Sequence, residues 1–470
     1  MFKIINRTAN IFLFHLLLIS GTISCKYSSM NEINFPKGLQ VDTIPINFSN
    51  GYIGVDTEID GQVFNLFMDS GIPVSLLKTD IPSTIMANEV VNIRDINGNI
   101  YPFKQMDVES VKIGKIRINK SDNFHFGNLA INGFMGTNTL KLFVWKVSFI
   151  DKHIYISRDA KYFEVSKDKG IPFELINGYP FINATINEVP VRFLVDTGNQ
   201  HAGVIINREY TDSLLVPVES IVRWRSKQNH QEFFSQHHIT PEIDDYHSYS
   251  LGNIEIGDQL FTDELVNFRD IEYNLLGLGF LEQFDYFILD YPNQMLYFGQ
   301  RQSKPLKYLL EVAENLNSVG VKISYDSVPI ITAISSNLTE KRIDINDTVV
   351  SIFGQEIINQ EMGFFNNDYI DANYGSGTTA YSIRTPSKHR TLIDNFNLNI
   401  VNKQASISIK KGDTILNFSL KRHYAALKMP DFVQSYFPDH RFVYVSNSGD
   451  EIKDKNQGTK YLYYVRPLPF

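Results

Sequence analysis

From residue 52 the chain reads YIGVDTEIDGQVFNLFMDSG: apolar and polar positions alternate, break at Asp60-Gly61-Gln62, and then merge into an apolar run that ends on Asp69. Alternation at period two predicts a half-buried strand, the polar break predicts a tight turn, and the run after it predicts a buried strand. The order returns later as YPFINATI, a break at Asn187-Glu188, and VRFLVDTG. Aligning Asp69 with Asp196 sets Leu66, Phe67 and Met68 against Phe193, Leu194 and Val195. Each copy is thus a hairpin that delivers an acid at its exit. The downstream stretches INGFMGTNTLKLFVWKVSFIDKHIYI and YNLLGLGFLEQFDYFILDYPNQMLYF also correspond. Each has two large apolar residues and a glycine (Phe134-Met135-Gly136; Leu275-Leu276-Gly277), a short segment with Leu and Phe, a strand, an acid at a turn and a last strand. An internal repeat of this kind predicts two similar β lobes, over 39–160 and 161–303.

Beyond Lys304-Pro305 the pattern changes. VPIITAI and RIDINDTVVSIFGQEI read as strands, and SISIKKGDTILNFSLKR alternates like a hairpin around Lys411-Gly412-Asp413, which defines a third region over 304–425. YLLEVAENL at its start reads as a short helix or linker, the stretch 360–400 is polar and rich in turn residues, and 426–470 is a tyrosine-rich extension with strand character and no usable motif. The expected fold class is mainly β. The 24 Tyr and 34 Phe of the 470 residues agree with a strand-rich chain, and a net charge of -8 with interspersed signs offers no basic stripe, so nucleic acid is set aside as a partner.

The N-terminus reads separately. Lys3 and Arg7 precede IFLFHLLLIS, an apolar run short for a bilayer span and followed by small residues, so 1–24 is expected to be a secretory signal and 25–38 a polar tether. Cys25, the only cysteine, ends that signal, so no internal disulfide is available to the fold.

A buried, unpaired carboxylate costs several kcal/mol or takes up a proton, so two acids that leave buried strands need partners. If the repeats pack about a pseudo-twofold axis, Asp69 and Asp196 are each other's partner and share one proton. Ser70 and Thr197 then offer hydroxyls that can hydrogen-bond across the axis, and Gly71 and Gly198 let backbone N–H groups reach the carboxylates. Such a pair supplies an acid and a base without metal, cofactor or nucleophilic side chain. No Gly-x-Ser-x-Gly or His-Glu-x-x-His occurs, and the histidines at 230, 237, 238 and 247, near Glu242, Asp244 and Asp245, match no ligand spacing and are read as a solvated loop.

FMDSG and LVDTG, each with its apolar-apolar-glycine partner, resemble aspartic proteases of the retropepsin and pepsin type, in the bacterial form that joins two retropepsin-like halves in one chain. The resemblance implies a bilobal, pseudo-twofold double β-barrel and an aspartic endopeptidase acting on peptide or protein substrates. Asp69 and Asp196 would be catalytic, with Gly136 and Gly277 on strands beneath them, no cofactor and no metal. Ser70 departs from the usual threonine but keeps the hydroxyl. The chain would be a monomer whose halves form an internal pseudo-dimer. Asn97-Gly98 falls where the family folds a flap over substrate, with an ordinary surface hairpin as the other reading. The third region resembles a PDZ-like α/β domain: Ser318-Val319-Gly320-Val321 fits the loop that receives a peptide carboxylate, implying a peptide ligand. Ile345-Asn346-Asp347-Thr348-Val349 with Phe353-Gly354 fits its later turn and strand, and the 360–400 stretch would be a large insertion. Cys25 resembles the lipidated cysteine of bacterial lipoproteins, although Thr22 departs from the usual aliphatic residue. It implies a lipid anchor on the bacterial cell envelope, against the alternative of a secreted protein. The rival reading of function is a non-catalytic envelope protein that keeps the fold for binding peptides or as a scaffold.

Overall fold

The computed structural model describes residues 32–49, 52–78, 86–94, 100–129, 131–165, 169–201, 203–211, 222–227, 243–302, 315, 319–326, 328–336, 338–357, 404–421, 443–445, 451–452 and 459–461. The signal-like segment with Cys25, the Asn97-Gly98 pair, most of the histidine-rich stretch, Ser318 and the 360–400 stretch lie outside them.

The two hairpins form as their patterns require. Tyr52–Ile59 pairs with Gln62–Met68 and Tyr179–Ile186 with Val189–Asp196, both antiparallel. The first strands of the two hairpins share one pattern of burial along all eight positions. Their turns use left-handed residues, Asp60 and Gly61 in one and Asn187 and Glu188 in the other, the backbone that two-residue hairpins demand.

Each acid strand is then flanked by a strand from the second half of its repeat. Gly133–Met135 runs parallel to Gln62–Met68 and antiparallel to Ser75–Lys78, and Asn274–Gly277 stands in the same relation to Val189–Asp196 and Val204–Asn207. A one-turn helix follows each, Thr137–Leu140 and Leu278–Leu281, started by Gly136 and Gly277 with nearly identical extended dihedrals.

Three strands from each repeat leave their lobe and join in one sheet of six, in the order Val41–Pro45, His153–Ser157, Val144–Ser148, Tyr286–Asp290, Met295–Phe298, Ile171–Ile176. The central ladder shows the symmetry. Val144 faces Asp290, Ser148 faces Tyr286, and Lys146 faces Ile288 at the middle. Exchanging the repeats, Val144 for Tyr286 and Ser148 for Asp290, returns the same pairs. One core runs through both lobes and this sheet, with Trp145, Phe143, Phe193, Phe280 and Phe287 fully buried. Each such side chain contributes about 1.5–3 kcal/mol by leaving water. The indole of Trp145 also donates to the Leu140 carbonyl at 2.7 Å, so its polar atom is satisfied inside.

One boundary differs from the sequence-based expectation. The polar tether expected over 25–38 includes a strand, since Glu32–Asn34 pairs with Ile116–Gly127 at the edge of the sheet. Its apolar residues account for this: Ile33 and Phe35 pack on the main core, and Arg158 lies over the Phe35 ring and donates to the Ile33 carbonyl.

The third region has its own core, centred on Val319, Val321, Ile331, Val349, Ile352, Ile407 and Ile409. Its described strands are Val321–Asp326, Val328–Ser335, Thr348–Ile352, Gln355–Glu356 and the hairpin Gln404–Lys411 with Thr414–Lys421. It shares a sheet with the second lobe, because Val328–Ser335 pairs with Val222–Lys227. Three short strands within 443–461 form a small sheet of their own.

Candidate active site

Asp69 and Asp196 meet where the two lobes face one another, each at the end of its buried strand. Their carboxyl groups hydrogen-bond to each other. Gly71 N–H donates to Asp69 Oδ1 at 2.8 Å, and Gly198 N–H donates to Asp196 Oδ1 at 3.0 Å.

The residues after the acids lock the loops together by four symmetric hydrogen bonds. Ser70 N–H donates to Thr197 Oγ1 at 3.0 Å, and Thr197 N–H donates to Ser70 Oγ at 3.0 Å. The hydroxyls pass on: Ser70 Oγ donates to the Val195 carbonyl at 2.7 Å, and Thr197 Oγ1 donates to the Met68 carbonyl at 2.9 Å. Each hydroxyl is at once acceptor and donor, a task that serine performs as well as threonine. Both residues are fully buried, so the loss of either hydroxyl would strand a partner without water to replace it.

The glycines are required by close approach. A Cβ on Gly71 would stand 2.4 Å from Asp196 Oδ1, and one on Gly198 would stand 2.4 Å from Asp69 Oδ2. Each acid therefore rests against the loop of the other lobe. Gly136 and Gly277 lie beneath, where a Cβ would run into the Val74 carbonyl oxygen at 2.3 Å and that of Asn199 at 2.7 Å. The one-turn helices brace the loops from the same side: Thr137 N–H donates to the Ile72 carbonyl at 2.8 Å, and Leu278 N–H to the Asn199 carbonyl at 2.7 Å. Thr137 Oγ1 also reaches the Ser70 carbonyl at 3.2 Å.

The two acids have unequal electrostatics. Burial, then the charge of Asp196, pushes Asp69 well above the carboxylate range, against the opposing pull of the Gly71 N–H. Asp196 is also raised by burial, to about 6, but hydrogen bonds from Gly198, Asp69 and Asn199 favour its ionised form. The pair holds one proton between its two carboxyls around neutrality.

The other sequence-predicted positions are distributed as follows. Met86–Arg94 and Ile100–Ile113 pair antiparallel up to Arg94 opposite Ile100, and Asn97-Gly98, between them in sequence, lies outside the described residues. Far from the dyad in sequence, Val319 is fully buried, Gly320 has φ +88°, and Val321 starts a strand. That left-handed backbone suits glycine. Asn346 (φ 74°) and the Phe353-Gly354 pair (φ 50° and 76°) sit at turns before and after Thr348–Ile352.

Two residues near the dyad escaped the sequence reading. Tyr52 and Tyr179 both lie in the electrostatic field of Asp69 and Asp196. A signal for them exists, since Asn-Gly-Tyr occurs at 50–52 and again at 177–179, with the same 127-residue spacing that separates Ser70 from Thr197.

Among solved structures, the chain is similar to an aspartic proteinase from Irpex lacteus, at 13% identity over 57% of this chain and 99% of that one, with a TM-score of 0.37. It is also similar to a retropepsin-like aspartic protease from Rickettsia conorii, at 20% identity over 27% of this chain and 89% of that one, with a TM-score of 0.20. No family model matches the chain, and no curated protein is similar to it.

Proposed function

We propose that the protein is an aspartic endopeptidase. The observation that carries this reading is the buried, mutually hydrogen-bonded Asp69–Asp196 pair, held by symmetric bonds from Ser70, Thr197, Gly71 and Gly198. In the reaction, ionised Asp196 takes a proton from a water molecule as its oxygen attacks the peptide carbonyl carbon. Protonated Asp69 donates to the carbonyl oxygen, giving a neutral tetrahedral diol. Transfer of a proton from the acid formed on Asp196 to the amide nitrogen, with return of a diol proton to Asp69, breaks the C–N bond and restores the pair. No group beyond the two carboxyls is needed.

The remaining parts take supporting roles. The third region receives a peptide or partner through Val319-Gly320-Val321, by the PDZ-like mode. Cys25 carries the lipid that holds the mature chain on the bacterial envelope. One acyl chain binds a bilayer only marginally, so stable anchorage needs several. Cys25→Ala is then expected to release the protein from the membrane fraction, and unchanged partitioning would remove the anchor from this account.

The activity is tested with the full mature chain against an internally quenched peptide library. Asp69→Asn and Asp196→Asn should each lower kcat by about 10²- to 10⁴-fold. The double variant should cost little more than either single one, because the pair works as a unit. Cleavage that survives in both single variants would overturn the dyad mechanism, and absence of cleavage at every pH would favour a peptide-binding protein.

A further inference from the structure

The tyrosine of the repeated Asn-Gly-Tyr has no task in the dyad chemistry, yet its place on the strand is matched in both lobes. Each tyrosine opens the first strand of its lobe's acid-delivering hairpin, Tyr52 opposite Ser49 and Tyr179 opposite Ile176. The turn that carries Tyr179 bears on the other lobe: Gly178 lies so near Pro73, in the loop after Asp69, that a Cβ there would stand 3.1 Å from the proline Cβ. The turn that carries Tyr179 is thereby held against the loop that follows the other lobe's acid.

Both rings are braced. Tyr52 stacks on Phe67 with centroids 4.7 Å apart and planes 14° from parallel, and Phe67 lies on the strand that ends at Asp69. Tyr179 packs edge-on against Phe181 at 6.5 Å and tilted against Tyr273 at 5.8 Å. The supports differ because the strands do: Gly54 faces Phe67 in the first lobe, whereas Phe181 faces Leu194 at the same place in the second. The side-chain tyrosine position is kept although its backing is rebuilt. Both tyrosines are half-buried. Burial and nearby acids push both phenols up, Asp69 and Asp196 acting on Tyr52 and Asp69, Glu272 and Asp196 on Tyr179, so they remain O–H donors at any pH where the dyad works and cannot serve as its base.

We propose that Tyr52 and Tyr179 are a matched pair of substrate-positioning residues, one on each side of the scissile bond, whose rings wall the cleft and whose hydroxyls donate to peptide main-chain carbonyls. An extended peptide offers acceptors on both sides of the bond it presents, and two donors related by the axis of the dyad would hold that bond across the axis. Positioning of this kind lowers the entropic cost of reaching the reacting geometry.

The proposal rests on the dyad reading, and two readouts separate them. In the Asp69→Asn background, binding of the best-cleaved library peptide is measured by fluorescence anisotropy. In the catalytic chain, kcat and KM are measured for the same peptide. Tyr52→Phe and Tyr179→Phe should each weaken binding and raise KM by about 3- to 10-fold, the worth of one hydrogen bond, with kcat changed less than KM. Because the two hydroxyls act on opposite sides, the double Phe variant should show the product of the single effects, unlike the dyad variants. Tyr→Leu variants at the same positions, which also remove the ring, should lose more. Unfolding midpoints of all variants are measured alongside. Unchanged binding and KM in both Phe variants would overturn the proposal, as would a loss confined to kcat. Undiminished cleavage by the Asp69→Asn chain would instead strike the dyad reading, while the binding readout would still decide the role of the tyrosines.

Discussion

At the scale of the residue, Asp69 and Asp196 set both the pH dependence and a local cost in stability. On the mechanism proposed above, hydrolysis needs one proton on the pair, so the rate should rise with pH through about 6 as Asp196 ionises. It should fall again when Asp69, held well above the usual range by burial and its partner's charge, gives up its proton. A profile of kcat/KM against pH checks this, and an acidic limb below pH 4 would contradict it. The same shifts have a sign for folding. Both acids are raised in the folded state, so the fold favours their protonated forms. The stability they contribute is full below the unfolded value near 4 and is lost as pH rises through the folded values. Asp196→Asn should therefore raise stability at pH 7–8 by on the order of 1–3 kcal/mol, and the gain should vanish near pH 4. Denaturant titrations of the two chains at both pH values measure it.

At the scale of the element, the second lobe is stapled by a polar cluster inside its apolar layer. Glu264, fully buried on Gln259–Arg269, accepts a hydrogen bond from Gln283 Nε2 at 3.0 Å and pairs with Arg301. Arg301 also donates to Gln283 Oε1 at 2.7 Å and lies over the Phe261 ring at 5.1 Å. The cluster joins a strand, a residue just beyond the C-cap of a one-turn helix and the chain's exit from the lobe, where Phe284 bridges to Arg301. Arg301→Met keeps the packing volume but removes the cation that pairs with the buried carboxylate, and should cost about 3–5 kcal/mol in denaturant unfolding. Adding Glu264→Gln should restore part of the loss, since it removes the orphaned charge.

At the scale of the whole molecule, the third region is bonded into the second lobe. Trp224, Arg225 and Ser226 pair with Ser335, Ile334 and Ala333, and Ser336 N–H donates to the Arg223 carbonyl at 2.8 Å. The buried Trp224 indole donates to the Asn315 carbonyl at 3.0 Å, with Lys322 Nζ 4.7 Å from its ring. Ending the chain after Gln302 would expose this indole and an open strand edge, the kind of surface on which chains aggregate. The truncated protein should show a lower unfolding temperature and higher-mass species by size-exclusion chromatography. A truncated chain as stable and monodisperse as the full one would show that the shared sheet contributes nothing.

Much of this was legible along the chain because it is local or repeated. The Asp60-Gly61 and Asn187-Glu188 turns depend on a few adjacent residues, and the buried runs before Asp69 and Asp196 depend on the character of one strand. The repeat then allowed the acids to be paired, since two similar half-structures with apolar faces need each other. Other features are set by how distant segments meet. The sheet of six draws strands from both repeats, a joining that neither repeat's own pattern announces. Glu32–Asn34 looks like a polar tether until Ile33 and Phe35 find a surface to cover. The joining of Val222–Lys227 to Val328–Ser335 leaves no mark in either segment, because any strand with an open edge can accept another. Tyr52 and Tyr179 are the intermediate case: their spacing is written in the repeat, but only the packing of the lobes brings both rings beside one pair of carboxyls. Turn chemistry and alternation act over a few residues and so can be read in order, whereas pairing across more than a hundred residues is decided by the mutual orientation of packed surfaces, which no local pattern encodes.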